Sequence, residues 1–117
     1  MVYYNRMAGS ELADRKCVPC HGGTPTVPED EAKRLLAELD GWTIEDGKLA
    51  RTFKFKDFLS AIDFVNRITP IAEEEGHHPD LEVGWGRVKI LLITHAIKGL
   101  SDNDFILAAK IDRLTRG

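Results

Sequence analysis

The sequence is poor in long apolar runs and in cysteine. Its apolar runs, such as Ile90–Ile93, span only a few residues, and its two cysteines are Cys17 and Cys20. A membrane-spanning helix needs about 20 consecutive apolar residues, so no membrane-embedded segment is expected. The first residues also lack the basic, apolar and small segments that follow one another in a signal peptide. We therefore expect a cytoplasmic protein whose cysteines are reduced.

An excess of positive charge is also missing. The chain has 16 Lys and Arg residues against 19 Asp and Glu residues, which gives a net charge of −3. Without a basic surface there is no field to hold phosphate groups, so nucleic acids and anionic membranes are not expected as partners. The function must therefore come from local features of the chain.

The length and composition indicate one compact domain. The chain has 117 residues, of which 43% are hydrophobic and 30% are charged, and this balance excludes a disordered or fibrous protein. We expect a single domain over residues 25–117, preceded by a lead-in of residues 1–24 that contains a Cys-x-x-Cys pair. The residues before Cys17 are interpreted as a loose polar segment without a role.

Turn and capping signals predict the first half of the fold. A helix should begin near Pro28 and end at Gly41, and Asp46-Gly47 should join two strands, residues 42–45 and 48–55, in a hairpin. A second helix should follow Asp57 and stop at Gly76, with a possible kink at Pro70. Its predicted buried face consists of Phe58, Ile62, Val65, Ile68 and Ile71 or Ala72.

The second half repeats the pattern. Two extended runs, residues 81–85 and 87–94, should form another hairpin, and Ser101 with Asp104 resembles a capping box that opens a third helix. The predicted order is α-β-β-α-β-β-α. This order is typical of an α+β fold in which three helices cover one face of a four-stranded antiparallel sheet.

The last predicted strand suggests self-association. Val88, Ile90 and Leu92 should point to one face of the sheet, while Leu91 and Ile93 point to the other. A sheet covered on one side only should leave its second face polar. We therefore expect either a second copy of the chain on this face, or burial by the chain's own loops.

Three of the four histidines flank the second hairpin. His77 and His78 stand at its entry and His95 at its exit, so the two strands should bring all three side chains together. Imidazole can give and take a proton near neutral pH, and the upstream run of acids from Glu73 could fix a histidine tautomer. The pattern favours a proton-transfer site, although a metal site or a polar loop without function would use the same residues.

The lead-in contains a competing metal-binding pattern. Cys17, Cys20 and His21 have zinc-ligand spacing, but a closed structural site needs a fourth ligand and none is nearby. The run also matches the C-x-x-C-H pattern of haem attachment, which belongs to exported proteins. A redox pair or an inert reduced turn are the remaining interpretations.

The segment from Glu73 to Asp104 resembles the signature of the pterin-4a-carbinolamine dehydratase family. The resemblance rests on Glu73, His77-His78-Pro79, Trp85, Thr94-His95 and Asp104, and it extends over roughly residues 28–111. The lead-in KCVPCHGG resembles that of some bacterial members. Two departures, Trp85-Gly86 and Ile97, affect the expected shape of the pocket more than the type of reaction.

The resemblance implies a reaction and a set of residue roles. Family members dehydrate a 4a-hydroxytetrahydropterin to the quinonoid dihydropterin in tetrahydrobiopterin recycling, without a metal or another cofactor, as homodimers or homotetramers. By resemblance, His77 and His95 would be the acid and base, and His78 would orient the pterin. The residues that would bind or line the substrate pocket are Glu73, Pro79, Thr94, Trp85 and Asp104.

Some of these assignments have alternatives. Asp104 could be a plain helix cap, and Trp85 could pack in the core at the hairpin instead of against the pterin. Proteins of this fold also act as dimerisation or assembly cofactors, so a protein-interaction module without catalysis is the second hypothesis. The presence of both His77 and His95 favours the enzyme.

Overall fold

Seven main elements follow one another in the predicted order. The computed structural model describes residues 12–19, 22–23 and 25–115. The elements are helix α1 (Glu29–Leu36), strands β1 (Thr43–Glu45) and β2 (Lys48–Lys54), helix α2 (Phe58–Glu75), strands β3 (Asp80–Gly84) and β4 (Arg87–Leu92), and helix α3 (Asp102–Arg113). A short 3-10 turn, His95–Ile97, lies between β4 and α3. The α+β prediction is confirmed.

The four strands form one antiparallel sheet in the order β1-β2-β4-β3. Both predicted hairpins are present, and their inner strands pair from Leu49 opposite Leu92 to Lys54 opposite Arg87. Asp46 and Gly47 have positive φ angles of 50° and 78°, as a two-residue turn between twisted strands requires. Because β3 and β4 are antiparallel, the start of β3 and the end of β4 lie at the same end of the sheet.

One apolar cluster joins the sheet to the helices. Val88, Ile90 and Leu92 of β4 are fully buried and contribute to it. The helices add Ala32 and Leu35 from α1, Ala61, Phe64 and Ile68 from α2, and Phe105 to Ala109 with Ile111 from α3. All three helices therefore bury a face against the same side of the sheet, as expected for this class of fold.

The buried face of α2 agrees with the prediction at Ile68 and Ala72 and differs from it nearer the start of the helix. Phe58 is 51% exposed, whereas the buried residues are Ala61, Phe64, Ile68 and Ala72. Phe64 packs on Phe53 and Phe55, with ring centroids 4.8 and 5.1 Å apart. These aromatic contacts turn the helix so that Phe64, rather than Ile62, faces the sheet. The helix runs without interruption past Pro70 to Glu75.

Helix α1 and strands β3 and β4 also end earlier than predicted. Helix α1 ends at Leu36 and not at Gly41, although Leu39 is still buried in the turns that follow. Strand β3 ends at Gly84, and β4 ends at Leu92, beyond which Thr94 only forms an isolated bridge with Gly99. This bridge closes a tight loop that carries His95.

The outward face of the sheet is mixed rather than largely apolar. Leu91 is half-buried there, but Lys89 lies on the same side and forms an ion pair with Glu45 of β1, 3.0 Å away. The side chains of β4 therefore alternate between the two faces of the sheet as predicted, but the outward face is not the second apolar face that was expected.

The lead-in is not loose where the structure describes it. Leu12 and Ala13 are 3% exposed and belong to the apolar cluster. Lys110 of α3 donates to the Ala13 carbonyl, 2.7 Å away, and Arg113 pairs with Asp14. The segment therefore packs along α3, which the sequence interpretation missed. Over the described parts of the chain, no helix combines the length and the apolar character needed to cross a membrane.

Candidate active site

A cleft of about 530 Å³ opens where the end of α2, the start of β3 and the loop after β4 meet. Gly76 ends α2 in the left-handed region, with φ 63°, and so turns the chain from the helix into His77 and β3. The hairpin returns the chain to the same end at Thr94 and His95. The predicted residues that line the cleft are Glu73, His77, His78, Thr94 and His95.

His77 is paired with a buried carboxylate. Its Nε2 lies 2.6 Å from Oδ1 of Asp104, and the two side chains are 11% and 0% exposed. The other oxygen of Asp104, Oδ2, accepts hydrogen bonds from the Ser101 backbone N–H at 2.9 Å and from the Thr94 hydroxyl at 2.8 Å. Asp104 is therefore both the capping residue of α3 and the partner of His77, so its two sequence interpretations are compatible.

The hydrogen bonds around Asp104 have a consistent direction. The Thr94 hydroxyl donates to Asp104, so the Ser101 hydroxyl, 2.7 Å away, is left to donate to Thr94. With His77 Nε2–H donating to Oδ1, the contacts to Asp104 from His77, Thr94 and the Ser101 backbone each bring a donor to the carboxylate. This tautomer leaves Nδ1 as the proton-accepting atom of the His77 ring. The network fixes both the ring and its tautomer.

The other two histidines are more exposed. His78 Nε2 lies 2.7 Å from Oε2 of Glu73, and this pair is in solvent contact. His95 is 74% exposed, and its Nε2 lies 3.9 Å from Oδ2 of Asp80. Pairs this exposed contribute little to stability, so these rings are free to adjust to a ligand. Asp80 was not predicted, although an acid directly after His-His-Pro at the strand entry was a visible signal.

Three predicted site residues do not line the cleft: Asp104 is fully buried and contacts His77, and Pro79 and Trp85 lie outside the cleft. Pro79 is half-buried between His78 and β3 and does not line the cleft. Trp85 sits in the turn at the far end of the hairpin and is 70% exposed. The length of β3, roughly 16 Å at about 3.3 Å per residue, separates it from the histidines. The structure therefore places Trp85 neither against the cleft of its own chain nor in the core.

The cleft also contains residues that the sequence did not assign to it. Cys17, Val18, Pro19 and Asn103 line it, and Glu75 lies beside Cys17. Burial, followed by the negative charge of Glu75, raises the pKa of the Cys17 thiol to about 12. The thiol is therefore protonated at neutral pH and is a poor metal ligand or nucleophile in this setting.

The predicted Cys-x-x-Cys-His pattern falls partly outside the described residues, which include Cys17 but not Cys20 or His21. Within the described ranges, no three His, Cys, Asp or Glu side chains group closely enough to hold a metal ion. The zinc and redox interpretations of this pattern remain predictions.

Residues 25–114 match the family model described as pterin 4 alpha carbinolamine dehydratase. The chain belongs to this family. A relative from Rubrobacter xylanophilus, named "Putative pterin-4-alpha-carbinolamine dehydratase", is 50% identical over 106 residues, which cover 90% of this chain and 99% of that protein. A relative of the same name from Alkaliphilus metalliredigens is also 50% identical, over 89% of this chain and 96% of its own length.

Solved structures support the same assignment. A crystal structure of a transcriptional coactivator/pterin dehydratase from Brucella melitensis aligns with a TM-score of 0.74 and 34% identity, over 77% of this chain and 98% of that one. A pterin dehydratase-like protein identified as a RuBisCO assembly factor in the alpha-carboxysome aligns with a TM-score of 0.54 and 23% identity, over 65% of this chain and 88% of that one. The second likeness shows the fold alone.

Proposed function

We propose that this chain dehydrates 4a-hydroxytetrahydropterin to quinonoid dihydropterin and water. The observation that carries the proposal is the pair of His77 and buried Asp104 in a cleft that also contains His78 and His95. Membership of the pterin dehydratase family supplies the substrate class.

The reaction needs one proton donor and one proton acceptor. The hydroxyl on C4a takes up a proton and leaves as water, so the C4a–O bond breaks. N5 loses its proton, and its electron pair forms the C4a=N5 double bond. The step is redox-neutral, and two imidazoles can provide both proton transfers near neutral pH. We therefore propose no cofactor.

The arrangement supports a division of roles among the cleft residues. His77 is held in one tautomer by Asp104 and lines the same cleft as His95, so these two form the proposed acid and base pair. His78 and Glu73 form an exposed pair at the rim of the cleft, suited to hydrogen bonds with the polar edge of a pterin. Thr94 acts through the Asp104 network rather than as a direct contact.

The resemblance also supports a proposal about the steps before and after this reaction. Aromatic amino-acid hydroxylases leave a 4a-hydroxytetrahydropterin, and the quinonoid dihydropterin must be reduced before it can be used again. We propose that this chain acts between these two steps in the recycling of a tetrahydrobiopterin-type cofactor.

A protein-interaction role is the second candidate. It is supported by the Brucella structure, which is described as a transcriptional coactivator/pterin dehydratase. An interaction module does not need a buried carboxylate to hold a histidine at the wall of a cleft. The His77–Asp104 pair therefore favours catalysis as the primary function.

The test is to generate the 4a-carbinolamine in situ and follow its ultraviolet decay with and without the protein. We expect acceleration over the spontaneous rate, and a loss on the order of 10²–10⁴-fold in His77→Ala and His95→Ala. The absence of any acceleration by the unmodified protein would refute the dehydratase proposal. A loss below about tenfold in either variant would reduce that histidine to a binding role.

A further inference from the structure

A short segment from the lead-in forms part of the cleft wall. Cys17, Val18 and Pro19 line the cleft together with His77 and His95, although they precede the residues matched by the family model. We call Cys17–Pro19 the strap.

Asn103 clamps the backbone of the strap from two sides. The Val18 N–H donates to Oδ1 of Asn103 at 2.9 Å, and Nδ2 of Asn103 donates to the Val18 carbonyl at 2.6 Å. Asn103 is buried, and it is the direct neighbour of Asp104 in helix α3. One amide thus fixes both backbone groups of Val18, as a neighbouring strand would.

Glu75 provides a second anchor. Its Oε1 accepts a hydrogen bond from the Cys17 N–H at 2.8 Å, and its Oε2 lies 3.5 Å from Nζ of Lys110. The Glu75 side chain is only 4% exposed. Burial by itself would raise the pKa of Glu75, but the hydrogen bond from Cys17 and the charge of Lys110 outweigh it and lower the pKa. The anchor is therefore charged at neutral pH.

Both anchors are close in sequence to a member of the His77–Asp104 pair. Glu75 is the last residue of α2, just before Gly76 and His77, and Asn103 precedes Asp104. The strap is consequently held in a fixed position relative to His77 and Asp104. Its backbone is tied down, yet the Val18 side chain is 63% exposed at the cleft. An apolar side chain held in this way presents a wall to a bound molecule.

We propose that the strap is a substrate-binding wall of the cleft, in which Val18 contacts the bound pterin and Asn103 and Glu75 hold it in position. The inference rests on the proposed dehydratase function and extends the substrate site beyond the family domain. The strap provides apolar contact and no proton transfer, so it should control KM and leave kcat nearly unchanged.

The experiment compares Val18→Ala, Asn103→Ala and the control Leu59→Ala. Leu59 is an exposed aliphatic residue near the start of α2, at the other end of that helix from the cleft. In Val18→Ala we expect KM for the carbinolamine to rise roughly two- to fivefold at unchanged kcat, because part of an apolar contact is removed. In Asn103→Ala the rise should be larger, with faster hydrogen exchange at the Val18 amide. Leu59→Ala should match the unmodified protein in KM and kcat, because Leu59 lies away from the cleft.

Binding of a stable dihydropterin, measured by titration calorimetry, separates this inference from the proposed reaction. If the unmodified protein binds the dihydropterin but does not accelerate dehydration, the dehydratase proposal is refuted. The Kd of Val18→Ala for the dihydropterin then still tests whether the strap contacts the bound molecule. Unchanged KM and Kd in Val18→Ala would overturn the inference, and so would a loss confined to kcat. If the unmodified protein neither binds nor reacts, both proposals are refuted.

Discussion

Asp104 shows how one buried side chain combines a structural and a chemical role. Its two oxygens have different partners. Oδ2 caps helix α3 and accepts a hydrogen bond from the Thr94 hydroxyl, while Oδ1 accepts one from His77. The cost of burying a carboxylate is met by these donors. The same bonds that begin the helix therefore fix the orientation of the proposed catalytic histidine.

Asp104→Asn should separate the two roles. The amide oxygen can still accept from Ser101 and Thr94, but the amide nitrogen then faces His77 Nε2 as a donor and forces the opposite histidine tautomer. We expect kcat for carbinolamine dehydration to fall on the order of 10²–10⁴-fold with a much smaller change in KM. Steady-state kinetics together with urea unfolding would measure both effects.

Asp102→Asn is the matched control, because Asp102 lies in the same helical turn and its ion pair with Arg15 is exposed. It should retain the activity of the unmodified protein. If a folded Asp104→Asn variant lost less than about tenfold in kcat, the tautomer of His77 would not matter to the reaction.

At the scale of elements, the predictions that succeeded depend on neighbours in sequence. The Asp46-Gly47 turn, the Asp57 cap and the Ser101–Asp104 capping box are each formed within a few residues, and all are present. The grouping of His77 with His95 also followed from one hairpin. Trp85 lies away from the cleft of its own chain, because a hairpin has two ends and residues in its turn stay at the far one; its role in binding the pterin stays a prediction.

The missed features depend on contacts distant in sequence. Cys17 reaches Glu75 and Asp14 reaches Arg113, across separations of 58 and 99 residues. In the sequence these acids and bases look the same as charged residues on a solvated surface. The packed lead-in and the strap could therefore not be predicted. The face of α2 was missed for a similar reason, because Phe53 and Phe55 on another element determine it.

Glu75 makes the attachment of the lead-in dependent on pH. A carboxyl whose pKa is lowered in the folded state contributes stability above its unfolded pKa, and this contribution is lost as the pH falls through the folded pKa. Glu75→Gln should therefore reduce the free energy of unfolding by about 1–3 kcal/mol at neutral pH, because Lys110 loses its charged partner. Urea unfolding at pH 7 and near pH 3 would measure the difference.

The difference between Glu75→Gln and the unmodified protein should shrink as the pH falls through the folded pKa of Glu75, because both side chains are neutral below it. Glu74→Gln provides the comparison, since Glu74 forms only an exposed pair with Lys16 and should change stability by less than about 0.5 kcal/mol. An equal loss in Glu75→Gln at both pH values would show that the Glu75 charge does not stabilise the fold.

At the scale of the whole molecule, a group of exposed apolar residues lies at the opposite end of α2 and of the second hairpin from the cleft. The Phe55 N–H donates to the Gly86 carbonyl at 2.7 Å, which brings the β3–β4 turn beside the start of α2. Trp85 in that turn and Phe58 and Leu59 in the first turn of α2 are all exposed. Large apolar side chains grouped in this way commonly mark an interface.

We therefore predict that the chain forms a homodimer or homotetramer and that the end containing Trp85 is buried in it. Trp85→Lys should shift the protein toward the monomer in sedimentation velocity, because a charge would then have to be buried at the interface. Trp85 lies at the opposite end of the hairpin from the histidine cleft, so kcat for dehydration should be unchanged in this variant. A concentration-independent monomer in the unmodified protein would contradict the prediction, whereas an intact Trp85→Lys oligomer would place the interface elsewhere, with the edge strands β1 and β3 as the next candidates.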